Sequence, residues 1–145
     1  MNECIFCKIA AGEAESSKVY EDDDMLAFMD IQPVRTGQIL VIPKEHIDHF
    51  SDIPDELALK IYRITHQLAR TLRRALQPER VGLVVHGYGV AHAHMVIVPQ
   101  QHADDITSGR MASVENGQVI FTVKKLPKVS REELDRIAQS IKETN

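Results

Sequence analysis

One apolar stripe constrains this chain more than any other feature. Leu57, Ile61, Ile64, Leu68 and Leu72 recur at spacings of three and four, the period of one helix face held for about five turns. The spacing predicts a long helix with Asp52 as its cap and Pro54 in its first turn. Asp55 and Glu56 sit at the positive end of its dipole, and Gln77-Pro78 closes it. The segments around it are short and strand-like: Lys18 to Glu21, Met25 to Met29, Gln38 to Ile42, Val81 to Val85 and His92 to Val98. Turns with Asp22-Asp23-Asp24, Pro33 and Gly37 separate the early ones, and Pro43 ends the third. Further on, Asp104 to Gly117 reads as a mobile connector and Val119 to Lys124 as another strand. Ser130-Arg131-Glu132-Glu133 is a capping box before a final helix striped by Leu134, Ile137 and Ile141. Strands, one long helix, more strands and a last helix make an α+β fold, not an alternating α/β one.

Length and charge narrow the function. At 145 residues the chain fits a single domain over 1–145. Its 43% hydrophobic and 26% charged residues match a globular domain, not a disordered or collagenous one. The longest apolar run, Met25 to Met29, is far short of the roughly 20 residues a membrane helix needs. A net charge of −4 disfavours nucleic-acid binding, which rests on phosphate neutralisation. Arg63, Arg70, Arg73 and Arg74 fit the solvated side of the long helix. No basic region followed by an apolar core opens the chain, so no secretion signal is expected, and a cytoplasmic address follows.

Three groups of residues could carry chemistry. His92 and His94 are two apart and, on a strand, would project from one face. A lone histidine in such a place is ordinarily a solvated or backbone-satisfied residue; a pair beside Gly87 and Gly89, whose backbone can approach an anion, reads as a site. The two cysteines form one C-x-x-C, Cys4 and Cys7. Two thiolates at this spacing can chelate one tetrahedral Zn²⁺ with two of the seven histidines. The alternatives are a redox pair, which lacks the preceding strand it would need, or two buried thiols that bind nothing.

The stretches CIFCKIAAGE, KVYEDDDMLAFMDIQP, GQILVIPKEHI and HAHMVIVP, in this order and spacing, resemble the histidine-triad (HIT) family. They cover about the first 100 residues, with the motif-bearing part at 1–102 and a loosely similar connector, strand and helix at 103–145. The resemblance implies a HIT-like fold, an antiparallel sheet of about five strands with one long helix and a C-terminal helix. It implies a homodimer and a pocket for a purine nucleotide or nucleoside phosphoramidate. The implied reaction is cleavage at the α-phosphorus of nucleoside phosphoramidates or dinucleoside polyphosphates through a nucleotidyl-histidine. The middle triad position falls on His94, the nucleophile, whose imidazole must be neutral to attack. A structural Zn²⁺ falls to Cys4, Cys7, His46 and His92. Ile5, Phe6, Ile9, Phe28 and Ile31 would form the apolar slot for the base, although such residues are also ordinary core. Asp30 would accept from the ribose hydroxyls, and Gln38 and Gly89 would flank the phosphate.

The chain departs from the family pattern near that phosphate. The third triad position is Val96, and Gln38 stands where a histidine is common. The usual Gly-Gln-x-Val approach to the triad is replaced by Gly87-Tyr88-Gly89-Val90. Valine has no donor, and losing one preorganised donor to a charge-developing oxygen costs about 10²–10³ in rate. Gln38, His86 or His102 are the residues that could replace it if the fold brings one near. Without a replacement, the chain would be a catalytically weak or silent nucleotide-binding protein.

Overall fold

The computed structural model describes residues 3–106 and 110–144. A short helix α1 (Ile5–Ala10) precedes strands β1 (Lys18–Glu21), β2 (Met25–Met29) and β3 (Ile39–Pro43). The long helix α2 (Asp55–Leu76) follows, then β4 (Arg80–Val84) and β5 (Met95–Gln100). A hairpin of β6 (Ala112–Glu115) and β7 (Gln118–Phe121) leads to the last helix, α3 (Arg131–Glu143). The first five strands make one antiparallel sheet in the order β1-β2-β3-β5-β4, and β6 and β7 pair only with each other.

Both faces of this sheet are covered, and the period of two decides which residue goes where. Met25, Ala27, Met29, Ile39, Val41 and Ile97 face one side, against Ile61, Ile64, Leu68 and Leu72 of α2 and Leu134, Ile137 and Ile141 of α3. Leu26, Phe28, Leu40, Ile42, Val96 and Val98 face the other, against Phe6 and Ile9 of α1. The two-sided cover explains why β2 and β3 are buried at every position. On edge strand β4, Leu83 remains 44% exposed.

Several expectations are corrected. Asp52 does not cap α2: it ends a 3-10 turn, Phe50–Asp52, and Pro54 takes the cap position. The β5 strand starts at Met95, so His92 and His94 lie on the irregular approach to it, not on the strand. The segment read as a connector from Asp104 to Gly117 contains a strand, β6, and an anchored turn; its positions 107–109 lie outside the described residues. The strand read at Val119 to Lys124 ends at Phe121, and Val123–Lys125 is a 3-10 turn. The capping box is half formed. The Ser130 hydroxyl accepts from the Glu133 N–H, whereas the Glu133 carboxylate turns to Arg136.

The anchored turn centres on Asp105, 1% exposed. One carboxylate oxygen accepts from Arg35 at 2.9 Å, the other from the N–H groups of Gln101 and His102. Burial alone would raise this carboxyl, but the Arg35 guanidinium and the two N–H groups outweigh it and hold it at about 2. Among the described residues no helix is long and apolar enough to cross a membrane.

Candidate active site and metal centre

Helix α1 is six residues long, too short to persist alone in water, and no side chain caps it. It is held by what it carries. Cys4 caps its start and Cys7 lies one turn on, so both thiols leave the same end. His46 comes from the loop after β3, and His92 from the approach to β5. The four donor atoms lie within 4.8 Å of one another. His92 Nδ1 is 3.5 Å from Cys4 Sγ and 3.6 Å from Cys7 Sγ, and Cys7 Sγ is 3.2 Å from His46 Nδ1.

Those distances fit a metal better than four side chains that merely meet. For Zn–S and Zn–N bonds of ordinary length, a tetrahedron has S···N edges of about 3.5 Å. His92 is wholly buried, and its Nε2–H donates to the Pro43 carbonyl at 2.8 Å. That bond fixes the tautomer and leaves Nδ1 as a lone pair aimed at the two sulfurs. Burial lowers the pKa of His92, favouring the neutral, ligating form. Burial and the Cys4 thiol push Cys7 up, the direction a bound cation reverses. The donor set therefore suits a closed, structural Zn²⁺ site, which would tie α1 to the sheet.

Phe6 separates this cluster from a second feature. Its ring lies edge-on to His92 at 5.8 Å and to His94 at 5.4 Å between centroids. Beyond it opens a cleft of about 540 Å³, within the range of small-ligand sites. Ile5, Phe6 and Ile9 of α1, Phe28 of β2 and the following Ile31 form apolar walls, while Asp30, Gln38, Gly89 and His94 supply polar groups. Val96 lies on the floor, paired with Leu40 and Val84 on the neighbouring strands.

The hydrogen bonds assign these groups different capacities. His94 Nδ1 is 2.7 Å from the His92 carbonyl. A carbonyl only accepts, so Nδ1 carries the hydrogen and Nε2 keeps the lone pair. The Gln38 amide is held at both ends: one N–H donates to Asp30 Oδ2 at 2.7 Å and its oxygen accepts from the Val34 N–H at 3.0 Å. Asp30 Oδ1 accepts from the Gln32 N–H at 2.9 Å. Each Asp30 oxygen has one partner and acceptor capacity to spare.

Of the three residues considered as replacements for the missing histidine, His86 alone meets His94. Their ring centroids are 5.9 Å apart with planes at 87°. Gln38 lines the cleft with its amide turned to Asp30 and Val34, and His102 is not among the cleft residues. Sequence reasoning missed Arg131, which lines the cleft from the start of α3 and donates to Ser17 Oγ at 2.8 Å. Nothing in its local pattern distinguishes it from a first-turn residue on a solvated helix.

Comparison with known proteins bears on the family and the fold. The model of the HIT domain family matches residues 11–103. Protein hit of Bacillus subtilis is 41% identical over 107 residues, covering 70% of this chain and 74% of that protein. The adenylylsulfatase HINT3 of Arabidopsis thaliana is 30% identical over 108 residues, 71% of this chain and 55% of that protein. The crystal structure of a Hit-like protein from Bartonella henselae superposes with a TM-score of 0.78 at 27% identity, covering 98% of this chain and 96% of that one.

Proposed function

The chain belongs to the histidine-triad (HIT) family, and on that premise we propose that it is a nucleotide-binding hydrolase or nucleotidyl transferase. Its substrates are nucleoside phosphoramidates or dinucleoside polyphosphates with a purine base. One observation carries the reading: the 2.7 Å bond from His94 Nδ1 to the His92 carbonyl puts the lone pair of the neutral ring on Nε2, in a cleft sized for a nucleotide.

In the first step the Nε2 lone pair of His94 attacks the α-phosphorus. A P–N bond forms as the bond from phosphorus to the leaving nitrogen or oxygen breaks, and the leaving atom takes the electron pair and a proton from solvent. In the second, water attacks the nucleotidyl-histidine: a P–O bond forms, a water proton passes to solvent, the P–N bond breaks, and its electron pair returns to Nε2. Splitting the displacement in this way replaces one hard step by two easier ones. The imidazolium developing on attack is stabilised by the same His92 carbonyl. Ile5, Phe6, Ile9, Phe28 and Ile31 take the base, and Asp30, oriented by Gln38, takes the ribose hydroxyls. Gly89 allows backbone approach to the phosphate; its φ of 94° suits glycine and few other residues.

Cys4, Cys7, His46 and His92 would hold Zn²⁺, which supplies no chemistry to the reaction and fixes the α1 wall. Two thiols kept free for a metal suit a reducing compartment, the cytoplasm. The working unit is a homodimer, formed where β4 leaves an unpaired edge. A second reading, a nucleotide-binding module without turnover, draws on Val96 and on a Gln38 amide turned to Asp30.

Adenosine and guanosine phosphoramidates incubated with wild type and with His94→Ala separate the two. Turnover by wild type alone is expected. Nucleotide binding by calorimetry with no turnover would favour the silent module, and turnover retained in His94→Ala would sink the assignment of the nucleophile.

A further inference from the structure

From the geometry around His94 we infer that His86 is the phosphate-binding donor of this site, occupying chemically the place that Val96 left empty. The inference rests on the nucleotide-site reading above and names a residue that touches the α-phosphoryl group. The Tyr88 backbone N–H donates to His86 Nδ1 at 3.2 Å. An N–H can only donate, so Nδ1 is the acceptor and the hydrogen of the neutral ring sits on Nε2. Gly87, at φ 74°, turns the chain between the two residues so that this bond can form.

His86 and His94 therefore have complementary tautomers. His94 has a backbone carbonyl on Nδ1 and a bare lone pair on Nε2; His86 has a backbone N–H on Nδ1 and a hydrogen on Nε2. The two rings line the same cleft, edge to face at 5.9 Å. One imidazole is set to attack phosphorus and its neighbour to donate to a phosphoryl oxygen. Donation from Nε2 needs no added proton, because the loop fixes the tautomer. His86 is also exposed, and Tyr88 N–H is its one hydrogen-bond partner among the described residues, which leaves Nε2 for a ligand. The Gln38 amide is instead oriented at both ends, by Asp30 and by the Val34 N–H.

The test compares wild type, His86→Ala and His86→Gln, each with and without Val96→His. Calorimetry measures adenosine and guanosine 5′-monophosphates against the corresponding nucleosides. His86→Ala is expected to lose at least tenfold in monophosphate affinity with nucleoside affinity unchanged, and His86→Gln, which keeps a donor, to lose less. With a phosphoramidate, His86→Ala should lower turnover by about 10²-fold, and Val96→His in the same chain should recover part of it. Equal monophosphate-to-nucleoside affinity ratios in wild type and His86→Ala would overturn the inference, whatever the rates. A ratio that falls in His86→Ala while wild type turns nothing over would support the phosphate contact and defeat the hydrolase reading alone.

Discussion

At the scale of single residues, the site is organised by which atoms are already spent. Gln38 is 6% exposed; it holds the half-exposed Asp30 by Oδ2 and gives the buried Val34 N–H its acceptor. Replacing it by an apolar residue of similar size strands the Val34 N–H and releases Asp30. Gln38→Leu should cost about 1–3 kcal/mol in denaturant unfolding. It should also erode the preference for a ribonucleotide over its 2′,3′-dideoxy analogue, because Asp30 is no longer held. An unchanged preference would show that Asp30 is positioned by the Gln32 N–H alone. The sequence marks Gln38 as a departure from the family pattern, and the resemblance implies a place for it beside the phosphate. What it does not reveal is that a short-range carboxylate would claim the amide, since that depends on how the turn at Pro33 to Gly37 folds back.

At the scale of elements, the short helix and the anchored turn behave alike: each is held by polar groups, not by its own propensity. If metal ligation ties α1 down, Cys4→Ser with Cys7→Ser should lower Tm and also weaken nucleotide binding, since Ile5, Phe6 and Ile9 share that helix. A site filled at 100 times its dissociation constant contributes about 2.7 kcal/mol. Loss of metal with nucleotide affinity untouched would separate the helix from the pocket. The anchored turn gives a pH dependence instead. Asp105 has a folded pKa near 2, below its ordinary value of 3.8. Its contribution is present above pH 4 and lost as pH falls from about 4 to about 2, amounting to about 2 kcal/mol. Asp105→Asn should flatten that part of the stability profile; an unaltered acid limb would place the loss elsewhere. Sequence spacing was enough to find α2, α3 and the sheet strands, whose apolar periods are long or β-branched. It could not find α1 or β6, which are short, nor the burial of Asp105, which depends on Arg35 seventy positions earlier.

At the scale of the whole molecule, the sheet has two edges and two covered faces. Edge strand β4 carries the half-exposed Leu83 and an open row of backbone groups. Pairing of β4 with a two-fold copy would bury both, so sedimentation should give a dimer and Leu83→Arg a monomer. A monomeric wild type at micromolar concentration would remove the homodimer from the account. The central claim is that His94 becomes covalently nucleotidylated, and rapid acid quench followed by peptide mass spectrometry tests it most directly. Wild type mixed with adenosine or guanosine phosphoramidate should show one nucleotidyl group on the peptide carrying His94, transient in time and absent from His94→Ala. Turnover without that adduct, or an adduct on another residue, would contradict it.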